Sequence, residues 1–108
     1  RAVALREGME LKVATERERQ WLRRCDTQRR PWLAALLFSA KEAFYKCQHP
    51  LTHTWLDFQD VELSINLRTQ SFCISHFSDA VPDPTRLRRV RGAWRHVPDF
   101  IVTMASLD

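Results

Sequence analysis

Glu42 stands between two lysines, Lys41 and Lys46, in the run Phe38-Ser39-Ala40-Lys41-Glu42-Ala43-Phe44-Tyr45-Lys46. A carboxylate in such a setting can hold a divalent cation or take a proton from a hydroxyl. Ammonium groups beside it can hold phosphate. On a helix Glu42 and Lys46 are i and i+4, so their side chains are neighbours. Phe38 lies one turn before Glu42 and Tyr45 nearly one turn after, while Lys41 is about 100° round the helix. Glu42 and Lys46 are thus placed to address one ligand together. Two plainer readings stay open from spacing alone. The two residues can form a surface ion pair, or Glu42 can complete a Ser39-x-x-Glu42 capping box for a helix that restarts there.

The element that carries this run is a helix. Pro31 suits a first helical position, and Leu33, Leu36, Leu37, Ala40, Phe44 and Cys47 recur at steps of three and four. That period predicts a helix from Trp32 to Cys47 with one buried face, ended by Pro50. Upstream, Thr15-Glu16-Arg17-Glu18 reads as a capping box opening a helix from Glu16 to Arg24, with Trp21 and Leu22 inward. Before it, Leu5, Met9, Leu11 and Val13 hint at a short helical turn and an extended piece, interrupted by Gly8.

Downstream the period becomes two. Val61, Leu63, Ile65 and Leu67 alternate with Glu62, Ser64, Asn66 and Arg68, which predicts a half-buried strand. Arg68 to Ser71 turns. Phe72, Ile74 and His76 then alternate with Cys73, Ser75 and Phe77 as the second strand of a hairpin. Val81-Pro82-Asp83-Pro84 reads as a rigid loop, and Arg86 to Arg91 as basic without a defined element. Gly92 to Val97 and Phe100 to Ala105 read as extended. The sum is an α+β domain: two or three helices packed on a small antiparallel sheet.

At 108 residues and 44% apolar composition the chain is sized for one domain with a core. Its formal net charge of +4 favours acidic or phosphate-bearing partners. No apolar run reaches the roughly 20 residues that span a bilayer. Cys25, Cys47 and Cys73 are odd in number and lack CxxC spacing, which fits reduced, buried thiols in a cytoplasmic protein. His49 and His53 are four apart, but Pro50 between them argues against a regular helix and so against a zinc pair. Trp21, Trp32, Trp55 and Trp94 read as core or near-core aromatics.

The run Phe38 to Lys46 resembles WSxKEAxxK, the signature of 4′-phosphopantetheinyl transferases of the surfactin- and enterobactin-synthase type, with Phe38 in place of the usual tryptophan. The likeness is specific from Leu36 to Leu63, where Leu-Leu-Phe38-Ser-Ala-Lys-Glu is followed by Pro50 and by Asp57-Phe58-Gln59-Asp60-Val61, similar to the strand-opening run of the enterobactin-synthase branch. Leu5 to Gly8, Thr15 to Leu22 and Ile101-Val102-Thr103 are similar more loosely. The resemblance implies transfer of the 4′-phosphopantetheine arm of coenzyme A to a serine of an acyl or peptidyl carrier protein, as in siderophore or secondary-metabolite synthesis. It implies Mg2+ on the coenzyme A pyrophosphate. Glu42 would be a metal ligand and the general base, Lys46 a phosphate contact, and Lys41 added positive charge at the same site. Phe38 would take the tryptophan's packing place.

The family's upstream G-x-D-x-E motif and its N-terminal basic residues are not found in this chain. Asp60-Val61-Glu62 has the D-x-E pattern but follows the signature helix and matches the strand-opening run instead. The expectation is therefore that residues 1–108 form the C-terminal half of a two-domain pseudodimeric transferase, inactive without the N-terminal half. The rival reading is a basic nucleic-acid-binding or non-catalytic interaction domain, carried by Arg86-Leu87-Arg88-Arg89-Val90-Arg91 with Trp94-Arg95-His96.

Overall fold

The computed structural model describes residues 12–54, 56–81, 84–97 and 100–107. The readings on Leu5 to Leu11, on Trp55 and on Pro82-Asp83 lie outside the described residues.

Helix α1, Glu16–Arg24, begins where the sequence places it. Thr15 Oγ1 accepts from the Glu18 amide at 3.3 Å, and Glu18 Oε1 accepts from the Thr15 amide at 2.8 Å. This reciprocal cap is worth about 1 kcal/mol. The C-terminal end is closed from outside the helix: Arg30 Nε donates to the Leu22 carbonyl at 3.0 Å and its Nη2 to that of Arg23 at 3.1 Å. Leu22 is buried and Trp21 half-buried, both in the core packing.

Helix α2 runs from Arg30 to Thr52, with Pro31 in its first turn. It is longer than its periodicity predicts. Pro50 lies inside it, and the chain leaves only at His53, in the left-handed conformation, whose amide donates to the His49 carbonyl at 2.8 Å. Proline removes the hydrogen bond to the carbonyl four residues back. Here that carbonyl belongs to Lys46, an exposed residue, so water can replace the lost donor. The expectation that Pro50 ends the helix and separates His49 from His53 is corrected accordingly; the two rings lie 6.4 Å apart.

A 3₁₀ turn, Phe58–Asp60, leads into a four-stranded antiparallel meander: β1 (Val61–Asn66), β2 (Ser71–Phe77), β3 (Val90–Val97) and β4 (Phe100–Leu107), in that spatial order. A single helical turn, α3 (Pro84–Leu87), begins at the last residue of the expected loop, runs into the basic stretch that showed no defined element and buries Leu87. Leu67 belongs to the β1–β2 turn, where Asn66 Oδ1 accepts from the amides of Arg68 and Thr69. The predicted alternation in β2 holds for Phe72 and Ile74 and then inverts. The β1–β2 register shifts between Glu62 and Leu63, leaving no residue of β1 opposite Ser75, so that Phe77 turns inward and His76 outward. One extra residue in one strand flips every later side chain to the other face.

The core lies between α2 and one face of the sheet, with α1 closing one side. Leu33, Leu36, Leu37, Ala40 and Phe44 form the buried stripe of α2, against Val61, Leu63, Phe72, Ile74, Phe77, Trp94 and Ile101. The three cysteines are free thiols, half-buried rather than enclosed as their residue type suggests. Ser39 fixes α2 to β4: its hydroxyl lies 2.9 Å from Thr103 Oγ1, which also donates to the Ser39 carbonyl at 3.1 Å.

Candidate active site on the central helix

The buried stripe of α2 contains a charge. Lys41 lies one helical turn from Leu37, Phe44 and, two turns on, Gln48, all buried, and it is itself 0% exposed. Its ammonium donates to Glu18 Oε1 at 2.7 Å, to the Val13 carbonyl at 2.7 Å and to the Phe58 carbonyl at 2.6 Å. Glu18, 3% exposed, completes the knot by accepting from the Leu63 amide with Oε2 at 2.7 Å. Burial pulls the Lys41 pKa down, and the carboxylate of Glu18 opposes that pull.

With Lys41 pointing in, the next residue points out. Glu42 and Lys46 are both exposed on one strip of α2. Among the described residues neither is held in a salt bridge or hydrogen bond. The two plainer readings of Glu42 therefore do not describe it. It forms no ion pair with Lys46, and the helix runs through Ser39 without a break, so there is no new N-terminus for Glu42 to cap.

Two walls flank this strip. On one side Phe38 packs on Phe58 with ring centroids 5.5 Å apart, and Phe58 on Tyr45 at 5.2 Å. The Tyr45 hydroxyl donates to the Asp57 carbonyl at 2.6 Å. Burial first, then the nearby carboxylates of Asp60 and Asp57, raise the Tyr45 pKa far above its ordinary value. On the other side an open groove of about 280 Å³ runs between α2 and β4, lined by Ala43, Lys46, Cys47, Thr103, Met104 and Ala105. Burial raises the Cys47 pKa, which disfavours its thiolate.

An unengaged carboxylate one turn from an unengaged ammonium, on a helix fixed by its neighbours on both sides, is suited to bind a charged ligand and accept a proton. Residues 4–104 match the 4′-phosphopantetheinyl transferase superfamily. The chain belongs to that superfamily. It is 39% identical over 108 residues to the 4′-phosphopantetheinyl transferase Npt of Nocardia iowensis, covering 92% of this chain and 48% of that protein. It is 35% identical over 110 residues to the 4′-phosphopantetheinyl transferase Svp of Streptomyces mobaraensis, covering 95% of this chain and 43% of that protein. The chain thus spans about half the length, or less, of these curated relatives.

Membership of the superfamily does not fit all three site residues expected from the signature into one place. Glu42 and Lys46 share a surface, but Lys41 does not reach it. The expectation that Lys41 lends its charge to a bound phosphate is corrected by its burial: its three donor directions are taken by Glu18, Val13 and Phe58. The signal was present in the sequence, since Lys41 falls on the apolar stripe at Leu37 plus four and Phe44 minus three. Glu18 was legible only as a cap; its tertiary partners are 23 and 45 residues away in sequence.

Asp60 is engaged in structure. Its carboxylate accepts from the Asp57 amide at 2.9 Å and from Ser78 Oγ at 2.7 Å. Among the described residues no group of three His, Cys, Asp or Glu is close enough to hold a metal, and no helix is long and apolar enough to cross a membrane. Trp94 of the rival reading offers no stacking face, being 4% exposed and packed edge-on against Trp32 at 5.6 Å. Arg91 donates to the carbonyls of Arg88 and Val90, and Arg95 to those of Gln70 and Trp94.

Proposed function

We propose that this chain is the C-terminal half of a 4′-phosphopantetheinyl transferase of the enterobactin- and surfactin-synthase type. The full-length protein moves the 4′-phosphopantetheine arm of coenzyme A to a serine of an acyl or peptidyl carrier protein in the cytoplasm. The observation that carries this reading is the exposed, unengaged pair Glu42 and Lys46 in a chain of this superfamily.

In this reading Glu42 accepts the proton of the carrier serine, because a hydroxyl attacks well only as its proton leaves. Lys46, one turn away, holds a phosphate oxygen of coenzyme A; as the serine oxygen bonds to the pantetheine-side phosphorus, the bond from that phosphorus to the adenosine-side phosphate breaks, and Lys46 offsets charge on the departing 3′,5′-adenosine diphosphate. The aromatic cluster of Phe38, Phe58 and Tyr45 flanks Glu42 on one side of the helix. Lys41 takes no part in ligand contact; it anchors the helix.

The chain's residues suit a magnesium ion as one partner among several. Magnesium takes oxygen ligands and is commonly held by one or two carboxylates together with substrate phosphates and water. Glu42 supplies one free carboxylate, and the remaining protein oxygens would come from the N-terminal half. Bound there, the ion would draw charge from the diphosphate.

The test is carrier modification followed by mass spectrometry. The full-length protein, given coenzyme A, Mg2+ and an apo-carrier protein, adds one phosphopantetheine group. The isolated 108-residue chain adds none. Robust modification by the isolated chain would show that the other half is not needed and overturn the two-half assignment.

A further inference from the structure

We infer that Glu18 is a positioning residue for Glu42, acting through Lys41. The inference rests on the transferase reading above and extends it to a residue that touches no ligand.

Glu18 is the meeting point of three elements. Oε1 takes the Thr15 amide at the start of α1 and the Lys41 ammonium from α2, and Oε2 takes the Leu63 amide of β1. Lys41 in turn ties α2 to the Val13 carbonyl before α1 and to the Phe58 carbonyl in the 3₁₀ turn. The knot is dry, with Lys41 0% and Glu18 3% exposed. Such a tie restricts rotation of α2 about its own axis more sharply than apolar packing, because aliphatic side chains tolerate small rotations and charged hydrogen bonds do not. On the opposite flank Ser39 is tied to Thr103. Glu42 is the first residue after Lys41, so its direction is set by that azimuth. A rotation of about 20° would displace its carboxylate by more than the tolerance of about 0.5 Å that an aligned site allows.

The pairing of the two charges is by itself weak evidence for stability, since the cost of desolvating a buried ion pair can match its Coulombic gain. What the charged version adds is directional specificity, and the residue that benefits is the one beside it.

The experiment uses the full-length protein with Glu18→Gln, Lys41→Met and the double variant. Glu18→Gln keeps the shape and the cap, and the double variant removes both charges together. An exposed control on the same helix as Glu18, Arg23→Gln, removes a surface partner of Glu16. Three quantities are read: the thermal midpoint, kcat and KM for coenzyme A, and the affinity for Mn2+ with coenzyme A by electron paramagnetic resonance, without carrier protein or turnover. The expected result is a folded double variant whose KM stays near wild type while kcat and Mn2+ affinity each fall about tenfold or more, the usual size of an effect transmitted through a supporting residue. The control changes none of the three. Unchanged kcat in a folded double variant, or a loss confined to KM, overturns the inference. So does unfolding of all three variants, which would make the knot scaffold alone. If the wild-type protein itself transfers nothing, the transferase reading falls first.

Discussion

Lys41 and Glu42 are consecutive in the chain and opposite in environment: the first is wholly enclosed, with its ammonium 2.7 Å from Glu18, and the second is exposed with no partner among the described residues. A helix turns about 100° per residue, so an inward residue at the edge of the buried stripe leaves its successor outward.

Glu42 should therefore matter for chemistry and not for folding. Glu42→Ala is expected to shift the unfolding free energy by no more than about 0.5 kcal/mol, as surface changes do. In the full-length protein it should lower transfer by about 10²–10⁴-fold, the range for losing a general base. Denaturant titration and a carrier-modification assay check the two halves of this statement. Near-normal turnover would remove Glu42 from the site.

Glu18 and Lys41, unlike Glu42, should matter for folding when only one is removed. Glu18→Ala or Lys41→Ala leaves a charge buried without its counter-ion, which costs about 3–5 kcal/mol. For a domain whose whole stability is of the order of 5–15 kcal/mol, that is a large share. Urea unfolding of the single variants beside the exposed Arg23→Ala gives the comparison; equal midpoints would show that the pair is not buried as described.

The fold was legible where one physical effect dominated. The Thr15–Glu18 cap, the apolar stripe of α2 from Leu33 to Phe44 and the alternation of β1 from Val61 to Ile65 are local patterns, and these appear as read. Three features escaped because a non-local effect outweighed a local one. Lys41 reads as solvent-exposed by residue type, and Glu18, two distant carbonyls and the charge of Glu62 offset the cost of its burial. Pro50 reads as a stop, yet it sits where the missing hydrogen bond faces water. His76 reads as inward, and the extra residue Ser75 reverses the phase. At the site, the Glu42–Lys46 pairing was legible as an i, i+4 spacing, while the supporting role of Glu18 depends on contacts that span 23 and 45 residues.

Gly92 faces Phe72 directly across β2 and β3, and the Phe72 ring fills the space that a Cβ on residue 92 would occupy. Gly92→Ala is expected to destabilise the chain by about 1–3 kcal/mol through overpacking. Phe72→Leu should absorb much of that cost, so a double-mutant cycle should show strong coupling between the two positions. Additive effects would mean that the ring does not lie over the glycine.

Tyr45 sets an alkaline limit. Its folded pKa is raised above the ordinary value of 10.0, chiefly by burial. Its stabilising contribution is thus fully present below that value and is lost as pH rises above it, because the unfolded chain releases the proton more readily than the folded one. The wild-type chain should lose stability more steeply than Tyr45→Phe above this point, and the two should run parallel below it. Thermal midpoints measured across the alkaline range decide the matter; parallel curves throughout would place the hydroxyl in water.

The continuation of α2 through Pro50 sets the electrostatic background of Glu42. Aligned peptide dipoles leave a partial negative charge at a helix's C-terminal end, unfavourable to a carboxylate, and its influence fades within about one turn. Had the helix stopped at Cys47, that end would lie about half as far from Glu42, at about 7.5 Å along the axis. Because it stops at Thr52, the negative pole lies about 15 Å from Glu42 along the axis, and an anion approaching the middle of the rod meets Lys46 before it meets the repulsive tip.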